Sequence, residues 1–168
     1  MFLRVAGIVK ESVVDGPGLR LVVFTQGCSR RCPGCHNPHT WDPEGGSEVA
    51  VEEIVSMVKQ NPLLRGVTLS GGEPFAQAAP LACLARKVRE LGKDVVTYTG
   101  YTWEELVELA RGDPAVRDLL ELSHYVVDGP FIRELHDPAL PFRGSANQRI
   151  IDVAASLARG EVVLAGWG

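Results

Sequence analysis

An α/β fold with a parallel sheet, built as an open or incomplete (β/α) barrel, is the architecture this sequence predicts, and three observations predict it. Short, β-branched, apolar runs recur at residues 4–9, 19–25, 67–70, 94–98, 125–128 and 161–165, the pattern of strands covered on both faces. Segments with helical apolar spacing lie between most of these runs, and such alternation implies parallel strands joined by right-handed crossovers. The chain has 168 residues, whereas a closed eight-unit barrel usually needs ~250, so the barrel is expected to be incomplete. That length, at 45% hydrophobic residues, supports one substantial core and one domain over residues 1–168.

The elements follow in order. The run at 4–9 is succeeded by an Asp15-Gly-Pro-Gly18 turn that delivers the run at 19–25, glycine and proline supplying the turn geometry. Ser47 is placed to cap a helix through Val51, Ile54, Val55 and Val58, ended by Pro62. After the run at 67–70 comes a helix over residues 80–91 closed by Gly92, glycine being favoured just past a helix end. Thr102 caps a third helix reaching Ala110, and a fourth has Asp113 at its cap and Pro114 at its first position. No repeat, low-complexity tract or long linker interrupts this order.

Cys28, Cys32 and Cys35 fall within eight residues, directly after the second strand run. The thiols therefore sit on a loop at a strand's end, where α/β folds build their sites. Three clustered thiolates suit soft metals, and a C-x3-C-x2-C loop can wrap one face of a cubane iron–sulfur cluster. Ligation by three residues would leave one iron open to substrate. A structural zinc site completed by His36 or His39 fits the same thiols, and the cysteines alone do not decide between the two. Disulfides fit poorly, because nothing at the N-terminus resembles a signal peptide and the cytosol keeps thiols reduced. Cys83 lies among apolar residues of a helix-like stretch and reads as core.

A second motif, Thr68-Leu-Ser-Gly-Gly-Glu-Pro74, follows the next strand run. Paired glycines let a ligand approach the backbone without Cβ interference, and Glu73 adds an acceptor suited to an ammonium group. The bland alternative is a tight strand-to-helix turn with a solvated glutamate. The placement puts both motifs at the same end of the sheet, where they can meet. Elsewhere, a net charge of −4 with acids and bases interspersed argues against a nucleic-acid-binding surface. No apolar run approaches the ~20 residues that span a bilayer, so a cytoplasmic protein is expected.

The cysteine loop followed by Gly-Gly-Glu-Pro resembles the radical S-adenosylmethionine superfamily. Further motifs resemble one member family, the activating proteins of anaerobic ribonucleotide reductase. These are the Asp15-Gly-Pro-Gly18 turn, Cys-Pro-Gly-Cys-His-Asn at 32–37 with Trp41 after it, Tyr98-Thr-Gly-Tyr101, Val127-Asp-Gly-Pro-Phe131, and Phe142-Arg-Gly-Ser-Ala-Asn-Gln-Arg149. Two positions depart from related patterns: Gly34 stands where most of the superfamily places an aromatic residue, and His36 where some activases carry tyrosine. The resemblance implies a partial barrel that holds one 4Fe-4S cluster and S-adenosyl-L-methionine and installs a glycyl radical on the large subunit of the reductase.

It further implies roles. Cys28, Cys32 and Cys35 would ligate three irons. Gly71, Gly72 and Glu73 would receive the methionyl amino group, and Gly34, Cys35 and His36 would supply contacts to the adenosyl half. Thr97 and Thr99 are weaker ribose candidates. Arg143, Asn147 and Arg149 would serve the cofactor carboxylate or the partner surface, with Arg143 and Asn147 taken as cofactor-binding. Asp15 is a candidate substrate-side contact, while Arg30 and Arg31 either offset the cluster or are a solvated loop pair. Trp41, Trp103 and Trp167 read as packing residues, and His124 and His136 receive no role. A flavodoxin or ferredoxin would suit as electron donor. The rivals are an activase of another glycyl-radical enzyme, of formate-lyase type, and a zinc-stabilised binding module.

Overall fold

A single seven-stranded sheet in the order β3-β1-β2-β4-β5-β6-β7 organises the molecule; the computed structural model describes residues 1–28 and 38–166, without the side chain of His39. Its centre is parallel as expected: β2 (Arg20–Thr25), β4 (Gly66–Gly71), β5 (Asp94–Tyr98) and β6 (Tyr125–Asp128) run in one direction. The edges are not. β1 (Phe2–Ser12) pairs antiparallel with β2, because the turn between them is far shorter than the dozen or so residues a parallel crossover needs. β7 (Arg149–Asp152) is antiparallel to β6, reached by a connection with no α-helix in it.

Ser47 does not cap a helix. Residues Ser47–Ala50 form β3 and pair with Phe2 to Val5 of β1, so tertiary pairing overrides the local cap signal. Helix α1 (Val51–Lys59) starts after Ala50, without a side-chain cap. Helix α2 (Ala78–Glu90) begins two residues before Pro80, which fits in its first turn, and left-handed Gly92 (φ 76°) follows its end. Thr102 and Glu105 form a reciprocal capping box on α3 (Trp103–Gly112), and Asp113 caps α4 (Pro114–Leu122). The expected last strand at 161–165 reduces to one bridge between Leu164 and Ile151. Left-handed Gly160 (φ 72°) ends an unanticipated helix, α5 (Val153–Arg159), and the chain then touches the sheet edge only in passing, with Leu164 63% exposed.

Strand alternation sorts the interior into two faces. Leu21, Val23, Val67, Leu69, Val95, Val126 and Ile151 pack under the helices in the large core, together with Trp103. Cys83 packs against that core, as read from the sequence. Val96, Val127 and Ile150, of opposite parity, form a small second cluster with Tyr98, Tyr125 and Phe142. The same second face carries Arg20, which is completely buried. Its guanidinium donates to Thr68 Oγ1 (2.7 Å), Pro17 O (2.9 Å) and Val67 O (3.0 Å) and pairs with Asp94. Thr68 Oγ1 in turn donates to Asp15 O at 2.7 Å, so a satisfied internal cation ties down the Asp15-Gly-Pro-Gly18 turn. Burying a charge is tolerable when its donors are met in this way.

Candidate functional site

The carboxyl ends of the parallel strands open onto a cavity of about 450 Å³, whose wall includes Cys28, Gly71, Gly72, Glu73, Tyr98 and Arg143. The size suits a small organic ligand. Cys28, where the cysteine loop begins, and the glycine turn thus share one cavity, as their positions after adjacent strands predict. Cys32 and Cys35 lie outside the described residues, as do Gly34, His36, Arg30, Arg31 and Trp167.

Backbone bonds weld the two motifs. Gly72 N donates to Thr25 O and Glu73 N to Gly27 O, each at 2.8 Å, and Cys28 N donates to Trp41 O at 3.1 Å. Gly71 is left-handed (φ 93°), and a Cβ on it would strike the backbone of Phe24 and Thr25. A Cβ on Gly72 would strike the carbonyl of Gly27. The expectation that the glycines spare room for ligand is therefore corrected in its reason: the atoms they make way for belong first to the strand that leads into Cys28.

Nor is Glu73 a solvated or waiting carboxylate. It is 4% exposed, and it accepts from Gly100 N (2.8 Å), Phe75 N (3.1 Å) and Thr99 Oγ1 (2.9 and 3.0 Å). It ties the glycine turn to the end of β5. Of the ribose candidates, Thr97 is sealed on the helix side, its hydroxyl 2.7 Å from Ser123 Oγ, whereas Thr99 lines the cavity.

The Phe142-to-Arg149 motif divides similarly. Arg143 lines the cavity. Asn147 is absent from its wall and spends its amide within the loop, donating to Pro130 O at 2.8 Å and accepting from Ser145 Oγ at 2.6 Å. Arg149 grips buried Asp128 (2.6 Å) and Glu104 (2.9 Å). Those hydrogen bonds raise the Arg149 guanidinium above its ordinary pKa and lower the Glu104 carboxyl below its own. Asp128 also accepts from Trp103 N at 2.8 Å, anchoring the start of α3. Gln148 Oε1 accepts from Gly144 N (2.9 Å) and Ser145 N (3.1 Å).

Sequence reasoning left Tyr98 and His136 without roles, and both line the cavity. Tyr98 ends β5 on the second face, and its hydroxyl donates to Phe142 O at 2.6 Å. Burial, and after it the nearby Asp15, raises the phenol above its usual pKa, so it stays a donor. His136 stacks edge-on to Phe131 with centroids 5.5 Å apart. Its Nδ1 lies 3.0 Å from Gly144 O. Strand parity carried the signal for Tyr98; His136 falls in irregular chain, where no periodicity marks it. Phe142 has φ 59°, unique among the described non-glycine residues, a conformation that costs about 1–3 kcal/mol and concentrates at functional sites.

Comparisons with known proteins identify the family. The family described as a 4Fe-4S single cluster domain matches residues 14–151. The anaerobic ribonucleoside-triphosphate reductase-activating protein of Escherichia coli K12 is 35% identical over 144 residues, which are 81% of this chain and 90% of that protein. Its counterpart from Vibrio cholerae is 40% identical over 146 residues, 82% of this chain and 90% of that protein. The pyruvate formate-lyase-activating enzyme of Clostridium pasteurianum is 36% identical over 132 residues, covering 75% of this chain and 55% of that enzyme.

Proposed function

This chain belongs to the family of anaerobic ribonucleoside-triphosphate reductase-activating proteins, and we propose from that premise that it installs a glycyl radical on an anaerobic ribonucleotide reductase. The observation that carries the reading is the single cavity shared by Cys28 and the Gly71-Gly72-Glu73 turn at the carboxyl ends of β2 and β4. The residues present fit a 4Fe-4S cluster and S-adenosylmethionine: the Cys28 thiol borders the cavity, the volume suits the ligand, and Arg143 on the wall offers a cation for a carboxylate. Cys28, Cys32 and Cys35 would hold the cluster, whose chemistry when bound would be one-electron reductive cleavage of S-adenosylmethionine, supplying the hydrogen-atom acceptor for the partner's glycine.

In this reading Cys28, Cys32 and Cys35 hold the cluster, and Gly34, Cys35 and His36 border the adenosyl half. Glu73 keeps the glycine turn fixed, so that backbone carbonyls meet the methionyl ammonium in a constant geometry. Arg143 pairs with the carboxylate. A flavodoxin or ferredoxin supplies the electron, and the protein works in the cytoplasm as one radical S-adenosylmethionine domain over residues 1–168. Among the described residues no helix is long and apolar enough to cross a membrane.

Activation of a formate-lyase-type enzyme is the second reading, favoured by the similarity to the clostridial enzyme. Mixing the reduced protein anaerobically with S-adenosylmethionine and an anaerobic ribonucleotide reductase is expected to give a persistent glycyl doublet by EPR, with methionine and 5′-deoxyadenosine formed. A doublet on a formate-lyase-type partner, with none on the reductase, would replace the first reading by the second.

A further inference from the structure

The loop that carries Arg143 is held from both sides, and the side that faces the sheet is held by one tyrosine. Upstream of Arg143, the Phe142 carbonyl takes a 2.6 Å hydrogen bond from Tyr98. The Phe142 ring packs onto the small cluster of Val96, Val127 and Ile150. Downstream, Gly144 N and Ser145 N both donate to Gln148 Oε1, and Gly144 O is 3.0 Å from His136 Nδ1. Between these clamps the backbone passes through a left-handed phenylalanine at φ 59°. A bulky residue keeps that conformation only where its surroundings over-determine it.

The direction of the loop matters because of charge. Among the described residues that line the cavity, Arg143 is the one arginine or lysine, against Asp15, Glu73 and Asp137. A ligand carboxylate entering this acidic cavity depends on that guanidinium, and a fork of N–H donors serves a carboxylate only when its stem is aimed. Tyr98 sits at the end of β5, an interior strand hydrogen-bonded on both sides to β4 and β6. Its phenol stays protonated, since burial and Asp15 both disfavour the phenolate, so the donated hydrogen bond persists at all ordinary pH.

We propose that Tyr98 is a positioning residue for cofactor capture: by donating to the Phe142 carbonyl it fixes the left-handed turn that directs Arg143 at the carboxylate of S-adenosylmethionine. This rests on the functional reading above. Tyr98 touches no reacting atom in this role. Its effect passes through two residues of backbone, and removal of its hydroxyl is felt by the carboxylate alone.

Two ligands test it on the cluster-loaded protein by equilibrium dialysis: S-adenosylmethionine and its decarboxylated analogue. Tyr98→Phe preserves the ring and its packing and is expected to weaken S-adenosylmethionine about tenfold, the scale of one charge-assisted hydrogen bond made poorly. Binding of the decarboxylated analogue is expected to stay at the wild-type level. In an Arg143→Gln background, which is itself expected to lose affinity for S-adenosylmethionine only, Tyr98→Phe should add no further loss, because the two act in series. Equal weakening of both ligands by Tyr98→Phe, or an additive loss in the double variant, would overturn the proposal. If Tyr98→Phe fails to fold, Arg143→Gln decides: unchanged binding of S-adenosylmethionine there removes the target that Tyr98 is said to aim. A wild-type protein that bound neither ligand would instead sink the functional reading on which this one stands.

Discussion

Replacing Glu73 separates two accounts of the glycine turn. If the carboxylate were chiefly an ammonium acceptor, Glu73→Ala would spare the fold and weaken the ligand. The structure argues otherwise. Glu73 is 4% exposed and receives Gly100 N at 2.8 Å, Phe75 N at 3.1 Å and the Thr99 hydroxyl at 2.9 and 3.0 Å. The hydroxyl can turn to another acceptor, but the two amides cannot. Stranding two donors that served a buried carboxylate costs about 3–5 kcal/mol, a large share of the 5–15 kcal/mol or so that holds an ordinary domain together. With a urea slope of about 2 kcal/mol per molar, the unfolding midpoint should fall by roughly 2 M. Glu73→Gln keeps the shape but turns an amide NH2 toward one of those donors, and about half of that loss is expected. The measurement is urea unfolding of cluster-loaded protein followed by circular dichroism with S-adenosylmethionine left out, so that no part of the effect can come from lost ligand. A Glu73→Ala midpoint within roughly 0.3 M of wild type, together with abolished S-adenosylmethionine binding, would refute the structural account and restore the ammonium acceptor.

Three more outcomes are expected. Gly72→Ala drives a methyl group into the Gly27 carbonyl, one residue before Cys28, so iron and sulfide content should fall along with cofactor binding; a variant with a full cluster would contradict this. Alanine at any one of Cys28, Cys32 or Cys35 should abolish the reconstituted cluster, whereas Cys83→Ala, in helix α2 against the core, should keep it, as read by visible absorbance. Burial, reinforced by Arg89 and opposed by Asp94, lowers the His124 imidazole below 6.5, and its Nδ1 accepts from Val95 N. The unfolded chain therefore takes up the proton first. Stability is lost as pH falls through 6.5 toward the lower folded value. The urea midpoint should drop between about pH 7.5 and pH 5.5 in wild type and drop less in His124→Gln, and equal drops would remove His124 as the cause.

Much of this architecture is legible in the chain because its signals are local. The central strands, the Asp113-Pro114 helix start and the Thr102 cap each depend on a few adjacent residues. Ser47 shows where locality ends: the same residue that suits a helix cap suits a strand once β1 lies beside it, and nothing in the sequence of 47–50 announces that neighbour. The antiparallel pairing of β1 with β2 follows from a short connection, and that of β7 with β6 accompanies a connection without an α-helix, features that the alternation pattern by itself does not weigh. At the site, the meeting of Cys28 with Gly71 and Gly72 is readable from their places after neighbouring strands. What Glu73, Asn147 and Arg149 bond to is not, since Thr99, Pro130 and Asp128 reach them only through the fold.

Those three residues share a logic with Asp128 and Gln148. Each belongs to a motif that carries the family resemblance, and each makes hydrogen bonds inside the protein. A reaction that exposes a free-radical fragment tolerates neither a loose wall nor stray water, because either lets the fragment react before the intended hydrogen is in reach. Side chains that lock the wall are then as necessary to the chemistry as those that touch the ligand. Asp128 illustrates the cost of losing one: its buried carboxylate, 1% exposed, joins β6 to Arg149 of β7 and to the first turn of α3. Losing it leaves the buried Trp103 N–H unmet, at about 1–3 kcal/mol, while the Arg149 guanidinium, 34% exposed, keeps Glu104. The wall beneath Gly129 and Phe131 would loosen with it, even though no atom of Asp128 borders the cavity.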